Sequence, residues 1–252
     1  MKVIQNGLML NQSESLCDEK GWMAGKGIFE TIKTVDNQPW ALSRHMRRAV
    51  ASALREGIQL PSQEDLLTAL DLLFSHESFE NGVLRLSFGQ DGNWAAAHLP
   101  YQTLNFAAKL HSYNQEVANQ GQPIKSFPYS HRLRILDEVN ALGFDEAIVF
   151  NTDRRVCEGA VTNLIFLLDG QWVTPPISDG VLPGVMRALV IEYCGVQVRS
   201  ISESDLPRVE SGYLLSSLRI AQPIASIDGR DLLQTPQFGA EIEAMALKTS
   251  VG

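Results

Sequence analysis

Residues 125–166 read KSFPYSHRLRILDEVNALGFDEAIVFNTDRRVCEGAVTNLIF, and the order of elements within this stretch decides the class of fold. A helical run over about 131–142 gives way to EAIVFN (146–151), a turn, a short strand ending near Glu158, and NLIFLL (163–168). A single helix followed by several strands with short turns between them predicts an α+β arrangement.

Working downstream, QWVTP (171–175) continues the strands, and a helix is predicted after Leu182-Pro183-Gly184. VQVRSI (196–201), YLLSSL (213–218) and PIASID (223–228) follow as strands, and a last helix starts near Phe238. Upstream, NQEVANQGQ (114–122) is polar and aperiodic, the composition of a linker. It divides the chain into an N-terminal α+β lobe (1–113) and a C-terminal lobe (123–252). In the first lobe, IFETIKT (28–34) and PWAL (39–42) read as a hairpin with an Asx-type turn. A helix follows, with Ser43 as N-cap, an apolar stripe of Met46, Val50, Ala53 and Leu54, and a stop at Gly57. A second helix over about 63–79 and strands at 83–88 and 103–110 complete the lobe.

Composition limits the function. The chain has 252 residues, 44% hydrophobic and 20% charged, enough apolar material for a packed core. Its 21 Lys and Arg against 29 Asp and Glu leave a formal charge of -8, which repels polyanions and argues against nucleic acid or an anionic membrane as partner. Three cysteines without CxxC spacing argue against a disulfide framework and for a reducing compartment, read as the cytoplasm. The N-terminal MKVIQNGLML lacks a signal-peptide core, and no stretch is long and apolar enough to span a bilayer. The expected partner is a small-molecule substrate in water.

Several chemistries are missing. The five histidines show no HExxH or related spacing, so no metal site is expected, and His45 reads as structural. There is no GxxxxGK[ST] loop and no GxSxG elbow. Gly25-Lys26-Gly27 lacks the third glycine and the helix of a dinucleotide fingerprint.

The opening stretch carries more than a fold pattern. Asp145 stands 20 residues after Lys125 at the start of a hydrophobic strand, and Val156-Cys157-Glu158-Gly159 with Asn163 follows. This pattern resembles the core signature of the fold-type IV, or class-IV aminotransferase, family of pyridoxal 5'-phosphate enzymes. The resemblance extends from about Ala24 to Gly229. It implies a two-lobed, D-amino-acid aminotransferase-like fold, with a smaller N-terminal α/β lobe and a larger, β-barrel-like C-terminal lobe with flanking helices. It also implies a homodimer with sites at lobe and subunit interfaces.

The resemblance makes Lys125 the catalytic lysine, an amine able to form an imine with the cofactor aldehyde and later to shuttle protons. Glu158 is implied as the carboxylate beside the pyridine nitrogen. Alone, each reads as a solvated surface charge; their joint spacing is what singles them out. Leu42-x-x-His45-x-x-Arg48 is similar to a family motif whose arginine contacts the cofactor phosphate. Arg48 lies about 200° round the helix from Met46, away from the expected core stripe. Leu182-Pro183-Gly184-Val185-Met186-Arg187 resembles the family's phosphate-binding helix start, so the backbone of Val185 and Met186 inherits that role. Ser216-Ser217-Leu218 aligns with a phosphate loop and puts Ser217 where the family has threonine.

Within the family, three details resemble the aminodeoxychorismate lyase branch. They are Gly184-Val185-Met186-Arg187, the run from Leu214 to Ile224, and Gly27-Ile28-Phe29-Glu30-Thr31. The last makes Thr31 a candidate for substrate binding or proton transfer. The family's Y-G-D-G is Ala24-Gly25-Lys26-Gly27 here, and Gly89-Gln90-Asp91-Gly92 stands where an arginine-glycine pair is common. Arg85 is the alternative for binding a substrate carboxylate. A D-amino-acid or branched-chain aminotransferase, and a non-catalytic small-molecule binding relative, remain alternatives.

Overall fold

The computed structural model of the chain describes residues 1–113 and 123–250, so the expected linker at 114–122 lies outside the described residues. The first part of the chain forms β1 (Lys2–Gln5), β2 (Leu8–Asn11), β3 (Gly27–Val35), β4 (Gln38–Pro39), α1 (Leu42–Glu56), α2 (Gln63–His76), β5 (Asn81–Gly89), β6 (Trp94–Pro100) and β7 (Ala108–Ser112). After residue 123 come β8 (Ser126–Phe127), α3 (Ser130–Ala141), β9 (Glu146–Ile148), β10 (Asn163–Leu168), β11 (Gln171–Thr174) and α4 (Val185–Tyr193). The chain then adds β12 (Gln197–Val198), β13 (Ser211–Leu215), β14 (Gln222–Ile227), β15 (Arg230–Asp231) and α5 (Pro236–Lys248). The architecture is α+β in two compact units.

The first unit comprises Met1–Thr103 and Ile124–Pro128, joined by Ser250, whose carbonyl accepts the Ala41 N–H at 2.9 Å. Its sheet has the order β2-β1-β6-β5-β3-β4, with β8 pairing β3. Direct cross-strand partners share a face. One face therefore carries Ile28, Glu30 and Ile32 with their partners Phe88, Leu86 and Leu84. These apolar residues pack with Ala49 and Ala53 of α1 and Leu66, Ala69, Leu70 and Leu73 of α2. The other face carries Phe29 and Thr31, opposite Ser87 and Arg85.

The second unit holds the described parts of 104–123 together with Tyr129–Thr249. Its sheet runs β12-β11-β10-β13-β14-β7-β9, with β15 on β14. β7 is parallel to both β14 and β9, and β12 to β11, while the remaining pairs are antiparallel. Its core gathers Leu110, Ile148, Phe150, Leu164, Phe166, Leu214 and Ile224. The strand segment 104–113 thus packs with the second unit and 124–128 with the first, so the chain passes between units on both sides of 114–122. Among the described residues, no helix is long and apolar enough to cross a membrane.

Several local expectations change. Helix α1 begins at Leu42, and its cap is Ala41 in the left-handed region rather than Ser43, which lies inside the first turn. Gly57, at φ +67°, ends it as expected. Its buried face is His45, Ala49 and Ala53, while Val50 and Leu54 are 54% and 84% exposed. The reason is polar: Glu30 on β3 draws His45 inward, and Ala49 and Ala53, one turn apart on the same face, are small enough for close approach to the sheet. Strand β6, WAAAHLP, went unread because an alanine run gives no period-2 signal. The N-terminal hairpin β1–β2 was also missed. The segment 103–110 shifts to β7, which begins at Ala108 and runs to Ser112, 196–201 shrinks to β12, and the expected strand ending at Glu158 is an irregular hairpin with an isolated Phe150–Val156 bridge.

Candidate functional site

Antiparallel pairing of β3 with β8 sets Gly27 opposite Phe127 and Ile28 opposite Ser126. One step further, the register brings Lys125 opposite Phe29, whose N–H donates to the Lys125 carbonyl at 2.9 Å. The Lys125 Nζ lies 4.4 Å from the centre of the Phe29 ring. The close strand approach needs Gly27, since a Cβ there would come within 2.0 Å of the Phe88 carbonyl oxygen. Phe29 meets the Trp22 ring edge-on, 4.8 Å between centroids, and the Arg85 guanidinium stacks 3.6 Å above Trp22. Arg85 pairs with Thr31 in register and donates to the Lys20 carbonyl at 3.1 Å. Its Nε is buried with no acceptor among the described residues. Burial brings the guanidinium down to about 10, against the opposing pull of Asp18. Lys125, Thr31 and Arg85 thus belong to one face of one sheet.

Arg48 is tied to the opposite face. It donates from Nε to the Glu30 carboxylate at 2.8 Å and from a terminal nitrogen to the second oxygen, while His45 Nδ1 lies 2.7 Å from the same group. Burial by itself would raise the Glu30 carboxyl, but the charge and hydrogen bonds of Arg48, with those of His45, hold it at about 2. Burial lowers the His45 pKa, Glu30 opposes that shift, and the Lys125 charge also reaches the ring. Sequence reasoning missed Glu30. Its available signal was a lone acid in phase with Ile28 and Ile32 on the inward face of β3.

In the second unit, Glu158 is buried and accepts from Arg132, Asn163 and the Leu182 backbone. Arg132 binds one oxygen at 2.8 Å, and Asn163 Nδ2 at 3.1 Å and the Leu182 N–H at 3.0 Å bind the other. Arg132, 26 residues away in the chain, was not foreseen. Asn163 Nδ2 also donates to the Leu182 carbonyl, fixing the turn that leads into α4. Gly184 caps α4, and a Cβ on it would sit 1.8 Å from Asn163 Oδ1. The first intrahelical bond is from Ala188 to Gly184, so the amides of Val185 and Met186 have no intrahelical acceptor. Arg187 donates to the Pro175 carbonyl at 2.7 Å, while its buried Nε meets no acceptor among the described residues. Burial lowers the Arg187 pKa, and the Glu158 charge opposes that.

Ser217 lies in the turn after β13, closed by the Ile220 N–H on the Ser216 carbonyl at 2.8 Å. Ile220 is held at φ +56°, an unusual conformation for a β-branched residue. Beside this turn, Arg219 is ion-paired at 3.6 Å with Glu146, which is fully buried; burial raises the Glu146 pKa and Arg219 opposes the rise.

The candidate residues therefore fall in two groups, Lys125, Thr31, Arg85 and Arg48 in one unit and Glu158, Val185, Met186 and Ser217 in the other. A fixed carboxylate suits a ring nitrogen that must stay protonated. A glycine cradle with helix-start amides suits a phosphate. The donor set of the second unit fits the ring nitrogen and the phosphate of pyridoxal 5'-phosphate.

A sequence model of the family described as Amino-transferase class IV matches residues 27–227. The D-alanine aminotransferase of Bacillus licheniformis is 23% identical over 256 residues, covering 92% of this chain and 90% of that protein. A bifunctional aminodeoxychorismate lyase / D-amino acid transaminase of Mycobacterium tuberculosis is 21% identical, covering 93% of this chain and 92% of its own. The pyridoxal-phosphate-bound form of a "hypothetical aminotransferase" from Mycobacterium tuberculosis shares the fold with a TM-score of 0.83 at 19% identity, covering 100% of this chain and 99% of that one. With its motifs, its α+β two-unit fold and a family match over most of its length, this chain belongs to the class-IV aminotransferase family, the fold-type IV enzymes that use pyridoxal 5'-phosphate.

Proposed function

We propose that the chain works as a 4-amino-4-deoxychorismate lyase, forming 4-aminobenzoate and pyruvate, with Lys125 as its catalytic residue. The observation that carries this reading is the shared sheet face of Lys125, Thr31 and Arg85, an amine, a hydroxyl and a buried cation with an unsatisfied donor. Those three groups match a substrate that must lose a proton from carbon while its carboxylate is held.

Bound pyridoxal phosphate would supply the electron sink for a carbanion at the amine-bearing carbon. Lys125 would hold it covalently, Glu158 would keep the ring nitrogen protonated, and Ser217 and the amides of Val185 and Met186 would take the phosphate, with Arg48 assigned there by the family motif although its Nε and one terminal nitrogen bind Glu30. The neutral Nζ of Lys125 would take the proton from the amine-bearing ring carbon of the substrate. The bond from the ring to the enolpyruvyl oxygen then breaks, and the Lys125 ammonium returns its proton to the leaving enolpyruvate, which departs as pyruvate. Thr31 orients the substrate, and Arg85 binds a carboxylate. The reading includes a small-molecule substrate and a homodimer, the latter tested by light scattering.

The second reading is transamination of D-amino or branched-chain amino acids. It is favoured by the bifunctional lyase and transaminase among the relatives. Incubating the protein with aminodeoxychorismate and no amino acceptor, and separately with amino-acid and keto-acid pairs, decides between them. Pyruvate release without acceptor is the expected result; amine exchange alone would leave only the second reading. Lys125→Ala should lose the borohydride-trapped cofactor and about 10³-fold in rate. Retention of both would remove Lys125 from the mechanism, and failure of the wild-type chain to bind the cofactor would leave a non-catalytic relative.

A further inference from the structure

We infer that Phe29 is a positioning residue for the Lys125 amine, its ring face biasing that amine toward the ammonium form, with Trp22 as the buttress that keeps the ring in place. The inference rests on reading Lys125 as the reactive amine. It comes from the β3–β8 register, which brings Phe29 and Lys125 opposite one another. Two contacts then join the same pair of residues. The Phe29 N–H holds the Lys125 main chain at 2.9 Å, and the Phe29 ring meets Nζ at 4.4 Å. A cation attracted to the negative face of an aromatic ring gains most where water is excluded, and Phe29 is only 2% exposed.

The ring is also prevented from turning away. Trp22 packs against it at an interplanar angle of 74°, and Trp22 is capped in turn by the Arg85 guanidinium. From Lys125 through Phe29 and Trp22 to Arg85 the contacts therefore run cation, ring, ring, cation. Other charges surround the amine. His45 on α1 lies within its electrostatic reach, Glu30 and Arg48 flank His45, and Asp18 and Cys17 act on Arg85. A proton on His45 would oppose an ammonium at Lys125, and the Phe29 ring works in the other direction. Removing the ring should thus make the amine lose its proton at lower pH.

The test uses the full chain freed of cofactor. Brief labelling with acetic anhydride between about pH 6 and 10, read by mass spectrometry at Lys125 with Lys26 as internal reference, gives the midpoint for amine reactivity. Phe29→Leu, which keeps apolar volume and removes the ring, should lower the midpoint by about half a unit to one unit. Phe29→Tyr should hold the wild-type value, and Trp22→Leu should shift it in the same direction by less. An unmoved midpoint in Phe29→Leu, or an equal shift in Phe29→Tyr, overturns the inference. If Phe29→Leu does not fold by circular dichroism, Trp22→Leu decides, and an unmoved midpoint there overturns it equally. Borohydride trapping of pyridoxal phosphate on wild-type Lys125 separates the two claims. Trapping with an unmoved midpoint sinks only the role of Phe29. A moved midpoint without trapping sinks only the functional reading.

Discussion

Glu30 has almost no access to water, and its charge is sustained by two neighbours rather than by solvent. An unpaired buried carboxylate would take up a proton; here Arg48 and His45 outweigh burial and hold the group at about 2 rather than the ordinary 4.5. The unfolded chain therefore binds more protons than the folded one between those values. The stabilisation is complete above about pH 4.5, is lost as pH falls toward 2, and amounts to roughly 3 kcal/mol. Urea unfolding midpoints measured from pH 6 down to about 3 should fall steeply for the wild type and distinctly less for Glu30→Gln. Parallel curves would show that another carboxylate carries the acid sensitivity. Lys125 and Glu158 could be read from the chain because their motif is written in local spacing. Glu30 could not, since its partners stand 15 and 18 residues away on a helix whose apolar stripe pointed elsewhere.

At the scale of elements, the start of α4 shows how one missing side chain organises a site. Gly184 lets the backbone pass against Asn163, and Asn163 in turn holds both Glu158 and the Leu182 carbonyl. In Gly184→Ala the new Cβ would overlap Asn163 Oδ1, so either the helix start or the amide must move. The expected cost is about 1–3 kcal/mol in stability. Equilibrium titration should also show weaker affinity for pyridoxal phosphate, because Glu158 loses the Asn163 donor. Wild-type affinity and Tm in this variant would mean that the Asn163 contact is dispensable. The helix start at 182–187, to which the phosphate role is proposed, was legible, since Pro-Gly before an apolar run signals a helix N-terminus. The buried face of α1 was not, because burial of His45 with Glu30 is a tertiary choice that an apolar-stripe argument cannot anticipate. Strand β6 was missed for a related reason: alanines fit its place between β1 and β5, yet alone they favour helix.

For the whole molecule, the chain is not divided at a single point. Ile124–Pro128 belongs to the first unit although it follows the expected boundary, and Phe127 is buried there beside Gly27. A fragment of residues 1–113 lacks that strand and the packing of Ile124 against the first core. It should show no cooperative urea transition, and adding the 123–252 fragment should restore one; a cooperative transition in 1–113 alone would show that the strand is dispensable. Alone, the sequence determined the α+β class, the family signature and the candidate lysine, carboxylate and phosphate-binding segments, because these depend on periodicity and on separations that folding leaves unchanged. Only the tertiary structure decided that Lys125 faces Phe29, that Arg48 is bound to Glu30, and that Arg132 and the Leu182 amide hold Glu158. Those partners are distant along the chain and meet through strand register and helix packing, whose energies depend on the whole core rather than on any local run of residues.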